Sequence, residues 1–237
     1  MAIFFNVKRK FKTVVHQITF AAVGGIQTSF IPLLRLFKKK SNHKHYLYGT
    51  HDVDDFYHEV KKDYKNYGKS ILNLIKFIFY VYSKNYIIHF YNNLSSKKIH
   101  FFLKVLPSSN LIYHERGSIW SAKKEDIKII NYNAKKFNTI IANSNATKLI
   151  LNKRFGIDKR KIKVIHNGFI SKKITIKNKG RYSKNFSIGF IGRLDTPKGV
   201  HILIEAAREI KNCDFFIAGD GILKKQLVES SKNLKNI

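Results

Sequence analysis

The stretch that decides the fold is Ile188-Gly-Phe-Ile-Gly-Arg-Leu-Asp-Thr-Pro-Lys-Gly199, in the last quarter of the 237-residue chain. The apolar run before Gly192 predicts a buried strand, and Pro197 predicts the start of a helix. A strand, a glycine turn and a helix N-terminus form an anion site, because free N–H groups and the positive end of the helix dipole face the ligand. Arg193 and Lys198 flank this turn and would strengthen such a site. The alternative is a surface turn with ordinary solvated cations.

Short apolar runs alternate with longer helical patterns along the rest of the chain, which is typical of βα units around a parallel sheet. The predicted strands are Thr13–Phe20, His45–Tyr48, Tyr86–Tyr91, Leu111–His114, Thr139–Asn143, Lys163–His166, Phe186–Ile191 and Asp214–Ala218. The clearest predicted helices are Lys69–Ser83, Ser96–Leu106, Lys124–Phe137, Ala146–Phe155, Pro197–Ile210 and Ile222–Lys232. The fold class is therefore α/β. We expect an N-terminal Rossmann-like domain over residues 1–170, a linker over 171–185, and the first βαβα part of a second Rossmann-like domain over 186–237.

The chain is strongly basic, with 45 Lys and Arg against 15 Asp and Glu and a formal charge of +30. An anionic partner is expected, and phosphate, nucleic acid and acidic lipid all fit this charge. The single cysteine, Cys213, excludes an intramolecular disulfide and a Cys-rich zinc site, and it favours a reducing, cytoplasmic compartment. No acidic residue precedes Asp52, whereas this part of the chain carries Lys8, Arg9, Lys10, Lys12, Arg35, Lys38, Lys39, Lys40 and Lys44.

Two uncharged or nearly uncharged stretches have to be weighed as membrane segments. The first, Thr13 to Leu34, contains a glycine pair and several polar residues, so a strand, a glycine turn and a helix are predicted there instead of a spanning helix or signal peptide. The second, Ile71 to Tyr82, is too short to span a bilayer and is interrupted by Lys76. We expect a buried core helix, with a helix lying on a bilayer surface as the alternative.

Three motifs together resemble a known enzyme family: Ile165-His-Asn-Gly-Phe169, Gly192-Arg-Leu194 with Lys198-Gly199, and Phe216-Ile-Ala-Gly-Asp-Gly221. In this order and spacing, the chain resembles the retaining nucleotide-sugar glycosyltransferases of family four, which have the two-domain GT-B architecture. The resemblance implies catalytic roles for His114, Arg193 and Lys198. It implies donor binding by Gly24, Gly25, Gly192, Arg193, Lys198, Gly219, Asp220 and Gly221. It also implies acceptor-side positions for Glu115 and Arg116, which follow His114.

The chemistry implied by the resemblance is the transfer of a sugar from a nucleoside diphosphate to an acceptor hydroxyl with retention. A nucleoside diphosphate leaves readily once its negative charge is stabilised, a role that falls to Arg193 and Lys198. This scheme uses no cofactor and no metal, and the nucleotide sugar is a co-substrate. The cluster Asp52-Val-Asp54-Asp55 superficially resembles a metal-binding Asp-x-Asp motif, but a solvated loop is the preferred interpretation.

The sequence departs from the family after the Gly-Asp-Gly turn. Family members continue through further βα units that include a Glu-x7-Glu motif, and nothing at that spacing follows Glu229. We expect either a fragment or truncated reading frame, or a second polypeptide that completes the C-terminal domain. A half sheet would also expose an unpaired edge and an apolar face.

The preferred hypothesis is a glycosyltransferase of bacterial-type surface polysaccharide or lipopolysaccharide biosynthesis, acting on a glycan or lipid-linked acceptor. It would lie in the cytoplasm, with its basic half on the anionic inner face of the cytoplasmic membrane. One alternative is a non-catalytic remnant or scaffold with the same fold. A basic nucleic-acid-binding module is a further alternative, but no nucleic-acid motif supports it, so no specific nucleic-acid partner is expected.

Overall fold

The computed structural model describes residues 13–21, 24–82, 86–91, 94–105, 110–168 and 185–237. The chain divides into two compact units, Met1–Ser171 and Lys172–Ile237. The linker predicted over 171–185 lies outside the described residues, except for residue 185. The following residues named above also lie outside them: Lys8, Arg9, Lys10, Lys12 and Phe169.

The first unit is built on a seven-stranded sheet in which every pair of neighbouring strands is parallel. Its strands are β1 (Thr13–Gln17), β2 (Lys44–Gly49), β3 (Tyr64–Asn66), β4 (Tyr86–Phe90), β5 (Leu111–Glu115), β6 (Thr139–Ala142) and β7 (Ile162–Val164). Its helices are α1 (Gly25–Lys40), α2 (His58–Lys61), α3 (Ile71–Tyr82), α4 (Lys97–Val105), α5 (Ile127–Lys136) and α6 (Asn145–Lys153). The predicted α/β class and Rossmann-like parallel sheet are confirmed.

The strand order is β3-β2-β1-β4-β5-β6-β7, so the direction of winding reverses between β1 and β4. In such sheets ligands bind outside the carboxyl ends of the strands near this reversal. Successive side chains of a strand point to opposite faces, and each face has its own apolar cluster. Val15 and Tyr48 pack with Phe77 of α3 on one side, whereas Leu47 packs with Phe30 of α1 in the other cluster.

Several predicted boundaries differ from the structure. Strand β1 ends at Gln17 instead of Phe20, and β7 is shifted by one residue towards the N-terminus and ends at Val164. The short edge strand β3 was not predicted, because its three residues, Tyr-Lys-Asn, are too few for an alternating pattern. Most of the predicted helices are trimmed at their ends, where capping rather than apolar spacing sets the boundary.

Helix α3 forms as predicted, but the expectation that it is a buried core helix is wrong for most of its surface. Only Phe77 and Val81 are buried. Six large apolar side chains of this helix are exposed: Ile71, Leu72, Ile75, Ile78, Phe79 and Tyr82. We call these six residues the α3 surface. The helix is apolar on nearly all sides, so its sequence could not indicate which side faces the sheet.

The second unit contains the parallel pair β8 (Phe186–Ile191) and β9 (Cys213–Ala218), with helices α7 (Val200–Glu209) and α8 (Lys224–Ser231). Its small core is formed by Leu194, Val200, Ile204 and Leu227. Other apolar side chains are exposed, among them Phe186 (73%), Ile191 (90%) and Ile222 (86%). The predicted exposed apolar surface is therefore present in this unit.

None of the helices in the described part of the chain has both the length and the apolar character needed to cross a membrane.

Candidate functional site

A cleft of about 610 Å³ lies in the first unit, at the carboxyl side of the sheet. One wall is the middle of α1, where Thr28, Ser29, Pro32, Leu33 and Leu36 line the cleft. His114 and Arg116, at and just after the end of β5, line it as well, and the segment Ile165–Gly168 after β7 closes the third side. The cleft is therefore in the region of the sheet where the topology predicts a ligand.

The glycine pair begins α1. Gly24 is the N-cap residue and has extended backbone angles, and as a glycine it has no side chain with which to cap this end of the helix. The Gly24 N–H donates to the hydroxyl of Tyr57 (3.0 Å), which fixes the entry of the chain into the helix. A Cβ on Gly25 would meet nothing within 4 Å. The first helical turn contains no acidic residue, so its free N–H groups and positive dipole end are not neutralised from within the helix.

His114 is buried, with 7% of its surface exposed, yet neither ring nitrogen has a hydrogen-bond partner among the described residues. Burial, together with the positive charge of Arg116, lowers the pKa of His114 to about 3. The imidazole is therefore neutral at physiological pH and carries one donor and one acceptor nitrogen. A buried neutral histidine with unused hydrogen-bonding capacity at a cleft is suited to binding a polar uncharged group such as a hydroxyl.

Behind His114, three further histidines continue across neighbouring strands. The rings of His89 and His114 are stacked with centroids 5.7 Å apart, His16 lies 5.7 Å from His89, and His45 lies 5.3 Å from His16. We call these four residues the histidine ladder. Burial is the main cause that lowers the pKa of each member, to about 3 for His16, to about 4 for His45 and well below the usual value for His89.

Sequence reasoning found only the last member of this ladder. His16, His45 and His89 lie on strands that are distant in sequence, and parallel pairing brings them onto one face of the sheet. The sequence predicted that these three histidines lie on strands. The strand order, on which their contacts depend, was not predicted.

Glu115 and Arg116 have different surroundings, although both were predicted on the acceptor side. Glu115 is fully buried, and its carboxylate accepts hydrogen bonds from the Tyr113 hydroxyl (2.7 Å) and from the backbone N–H groups of Gly117 (2.7 Å) and Ile119 (3.2 Å). Glu115 thus holds its own loop in place instead of facing the cleft. Arg116 is half-buried, lines the cleft and donates to the hydroxyl oxygen of Ser29 on α1.

In the second unit, two glycine turns lie against each other. The Gly192 N–H donates to the Ala218 carbonyl (3.1 Å), and the Leu194 N–H donates to the Asp220 carbonyl (2.8 Å). A Cβ on Gly219 would lie 1.9 Å from the Gly192 carbonyl oxygen, so only glycine permits this approach. Gly219 thus keeps the two strand-end turns together, and its predicted role in donor binding stays a prediction.

The other glycine of this turn has a similar position. A Cβ on Gly221 would lie 2.5 Å from the Leu194 carbonyl oxygen. The neighbouring Asp220 has a largely exposed side chain, which accepts a hydrogen bond from the Gly221 N–H and lies 3.7 Å from the Lys224 ammonium. Both residues therefore belong to the same rigid edge of the second unit.

Arg193 and Lys198 lie at this edge and are both exposed. The Arg193 guanidinium pairs with the Asp195 carboxylate at 2.8 Å, which holds the side chain close to the turn. Lys198 ends the 3-10 turn Thr196–Lys198, and Gly199 in a left-handed conformation (φ 70°) leads into α7. Helix α7 thus begins at Val200 and not at Pro197 as predicted, because Pro197 belongs to the 3-10 turn. The two predicted catalytic cations lie in the second unit, whereas His114 lies in the first.

The aspartate cluster belongs to a loop of the first unit. Asp52 pairs with Lys69 and accepts a hydrogen bond from Asn66, and the Asp54 carboxylate accepts from the Phe56 N–H and caps the following 3-10 turn. Within the described residues, no three His, Cys, Asp or Glu side chains are grouped so that they could hold a metal ion.

The second unit is similar to a known protein family. Residues 171–237 match the family model "Glycosyl transferases group 1". This segment contains the turn with Arg193 and Lys198 and the Gly219-Asp-Gly221 turn. No curated protein matches the chain.

Solved structures extend the similarity to nearly the whole chain. Anabaena Alr3699/HepE, in complex with UDP-glucose, is 18% identical with a TM-score of 0.68, and the match covers 94% of this chain and 66% of that one. A glycosyltransferase from Rickettsia africae ESF-5 has the same identity and TM-score, with 95% and 66% covered. The apo form of the lipopolysaccharide outer core galactosyltransferase WaaB is 18% identical with a TM-score of 0.61, and 94% and 64% are covered.

These neighbours show the fold. The chain has the α/β architecture of GT-B glycosyltransferases, with a seven-stranded parallel sheet in its first unit. It spans 66% of the length of the Anabaena and Rickettsia structures, which is less than two thirds.

Proposed function

We propose that this chain is a retaining glycosyltransferase of family four that transfers a sugar from a nucleoside diphosphate to an acceptor hydroxyl. The observation that carries the proposal is the glycine turn of the second unit, where Arg193 and Lys198 follow Gly192 in a segment that matches a glycosyltransferase family model. The UDP and UDP-glucose complexes of the Anabaena neighbour and the galactosyltransferase WaaB support a nucleotide-sugar donor. They also support a hexosyl group as the transferred sugar.

In the proposed reaction, the bond between the anomeric carbon and the β-phosphate oxygen breaks, and its electron pair leaves with the nucleoside diphosphate. The acceptor oxygen forms the new bond to the anomeric carbon, and the hydroxyl proton passes to the departing phosphate or to solvent. Arg193 and Lys198 stabilise the charge that develops on the phosphate. Neutral His114 hydrogen-bonds a hydroxyl of the transferred sugar. The scheme needs neither a cofactor nor a metal.

A transfer assay tests this proposal. The purified chain is incubated with each of several UDP-, GDP- and ADP-hexoses and with membrane extracts as acceptor, and release of the nucleoside diphosphate is measured. We expect release from at least one donor and its loss in Arg193→Ala. Binding of the donor without any release would instead support the alternative of a non-catalytic remnant or scaffold.

We further propose that the protein acts at the anionic inner face of the cytoplasmic membrane, in surface polysaccharide or lipopolysaccharide biosynthesis. The α3 surface supports this localisation, because six exposed large apolar side chains on one helix are more than an ordinary solvated helix carries. No acidic residue occurs between Asp63 and Glu115, a stretch that contains seven lysines and all of α3 and α4. An apolar helix face in a cationic surrounding fits the interface of an anionic bilayer.

Vesicle co-sedimentation tests the membrane proposal. We expect binding to vesicles with 30% anionic lipid, weaker binding in high salt, and loss of about tenfold in affinity in Leu72→Gln/Phe79→Gln, since each change removes an exposed apolar group. Leu149→Gln, at an exposed apolar position of α6, is the matched control. If the α3 variant binds as well as this control, the α3 surface is not the membrane contact.

The exposed apolar side chains of the second unit support one more proposed partner. A further polypeptide segment that pairs with this unit would cover them, and a second polypeptide that completes the C-terminal domain is one source of such a segment.

A further inference from the structure

Another cavity of the first unit, of about 360 Å³, lies near the start of β7, beside the C-terminal ends of α5 and α6. It shares no lining residue with the cleft at the carboxyl side of the sheet. Three buried apolar residues form much of its wall: Ala134, Phe155 and Ile157. A cavity of this volume is large enough for a small organic molecule.

One buried polar atom in the lining of this cavity lacks a hydrogen bond. The side-chain oxygen Oδ1 of Asn131 is inaccessible to solvent, and no group in the described part of the chain donates to it. Leaving a buried acceptor unpaired is costly, and native proteins pair nearly all of them. A hydroxyl or N–H group of a ligand in the cavity would supply the missing donor.

The other polar groups of the cavity favour an anion. Lys135 is exposed and lines the cavity. The Lys161 ammonium donates to the carbonyls of Lys135 (3.1 Å) and Phe137 (3.2 Å), which leaves one of its three N–H groups for a ligand. Asp158 also lines the cavity, but its carboxylate pairs with the Arg160 guanidinium at 2.8 Å. The two lysines therefore give the cavity an excess of positive charge.

The spacing of these groups indicates the shape of the ligand. Asn131 and Lys135 are four residues apart on α5, so they lie on the same face of the helix, about 6 Å apart along its axis. A ligand that reaches both would have its donor and its negative charge separated by a similar distance. Between them, Phe155 and Ile157 offer an apolar surface for the body of the ligand. A benzene ring with substituents at opposite positions has this form.

We propose that this cavity binds a small aromatic carboxylate with a hydroxyl group at the opposite end of its ring. The carboxylate pairs with Lys135 and Lys161, the ring packs against Phe155, and the hydroxyl donates to Asn131 Oδ1. This site lies outside the residues to which the proposed transfer reaction is assigned, and it does not depend on that reaction.

Isothermal titration of the full chain with 4-hydroxybenzoate, 4-methoxybenzoate and phenol tests the proposal. The methoxy compound keeps the ring and the charge but cannot donate a hydrogen bond, whereas phenol keeps the donor and lacks the carboxylate. We expect 4-hydroxybenzoate to bind about tenfold more tightly than either of the other two, since each of them loses one hydrogen bond or ion pair.

Two variants assign the contacts. Asn131→Leu removes the acceptor at a similar side-chain volume, so it should bind the hydroxy and methoxy compounds equally. Its free energy of unfolding should not decrease, because no described hydrogen bond to Oδ1 is lost, and this separates a lost ligand contact from a folding defect. Lys135→Gln should weaken 4-hydroxybenzoate about tenfold and leave phenol unchanged. Lys128→Gln, at an exposed position of α5 outside the cavity lining, is the matched control and should bind as the native chain does.

Three results would overturn the inference. Equal affinity of the native chain for the hydroxy and methoxy compounds would show that the ligand leaves the Asn131 oxygen unpaired. A preference for the hydroxy compound that persists in Asn131→Leu would place the ligand elsewhere on the chain. The absence of saturable binding of 4-hydroxybenzoate would exclude this class of ligand.

Discussion

Replacing Gly219 by alanine tests whether the two glycine turns of the second unit form one rigid edge. The added Cβ would lie 1.9 Å from the Gly192 carbonyl oxygen, and the two atoms would have to separate by about 1.5 Å to reach an ordinary contact distance near 3.4 Å. Two backbone hydrogen bonds cross this gap, from Gly192 N–H to Ala218 (3.1 Å) and from Leu194 N–H to Asp220 (2.8 Å).

The expected cost follows from these contacts. Each lost hydrogen bond contributes about 1 kcal/mol, and a forced overlap in a packed region typically costs 1 to 3 kcal/mol. We therefore expect Gly219→Ala to lower the stability of the second unit by about 3 to 5 kcal/mol. Six apolar side chains are buried among the described residues of this unit, so this is a large fraction of its stability.

Hydrogen exchange measured by mass spectrometry is the appropriate assay. The only tryptophan, Trp120, lies in the first unit, so its fluorescence serves as an internal control that should not change. Peptides covering β8 and β9 should exchange faster in Gly219→Ala. Gly189→Ala is the matched control, because a Cβ there would meet nothing within 4 Å. Equal protection of β8 and β9 in the two variants would refute the reasoning.

Two further predictions concern the first unit. The pKa values in the histidine ladder are lowered below the unfolded value, so the unfolded state binds more protons and the stability decreases as the pH falls below about 6.5. For the two buried members His16 and His114, each with a pKa of about 3 in the folded chain, we expect a loss of about 2 to 3 kcal/mol between pH 6 and pH 5. The free energy of unfolding in urea should depend less steeply on pH in His89→Gln, whereas His51→Gln should keep the pH dependence of the native chain. A pH-independent stability of the native chain would contradict this prediction. By the same measurement, Glu115→Gln should lower the stability by about 2 to 3 kcal/mol, because an amide cannot accept all three hydrogen bonds of the buried carboxylate. The control Glu125→Gln, at an exposed position, should lower it by less than about 0.5 kcal/mol. Equal effects of the two substitutions would count against the role of Glu115.

The sequence predicted the elements of the fold that depend on local pattern. The strand, glycine turn and helix from Thr13 to Leu34 are present as β1 and α1, and the run before Gly192 is the strand β8. The start of α7 was misplaced by three residues. Proline is favoured in a first turn, and here that turn is a separate 3-10 turn ended by Gly199.

The features that the sequence did not predict depend on contacts between distant segments. The exposure of the α3 surface depends on which side of an apolar helix the sheet covers, and periodicity alone does not determine this. The position next to His114 indicated that Glu115 lies on the acceptor side, but the backbone after β5 turns its carboxylate inward. The sequence did not indicate the close backbone approach at Gly219, which no other residue permits; donor binding by Gly219 stays a prediction.

The central claim is that the turn of the second unit holds the diphosphate of a nucleotide. Isothermal titration of the chain with UDP, GDP and ADP and with the corresponding nucleosides tests it most directly. The account predicts that at least one diphosphate binds more tightly than its nucleoside, and that Arg193→Ala or Lys198→Ala weakens it by about 1.5 to 3 kcal/mol. Lys211→Ala, which removes an exposed cation after α7, should have no effect. Equal affinity for diphosphates and nucleosides, or unchanged binding in both variants, would contradict the account.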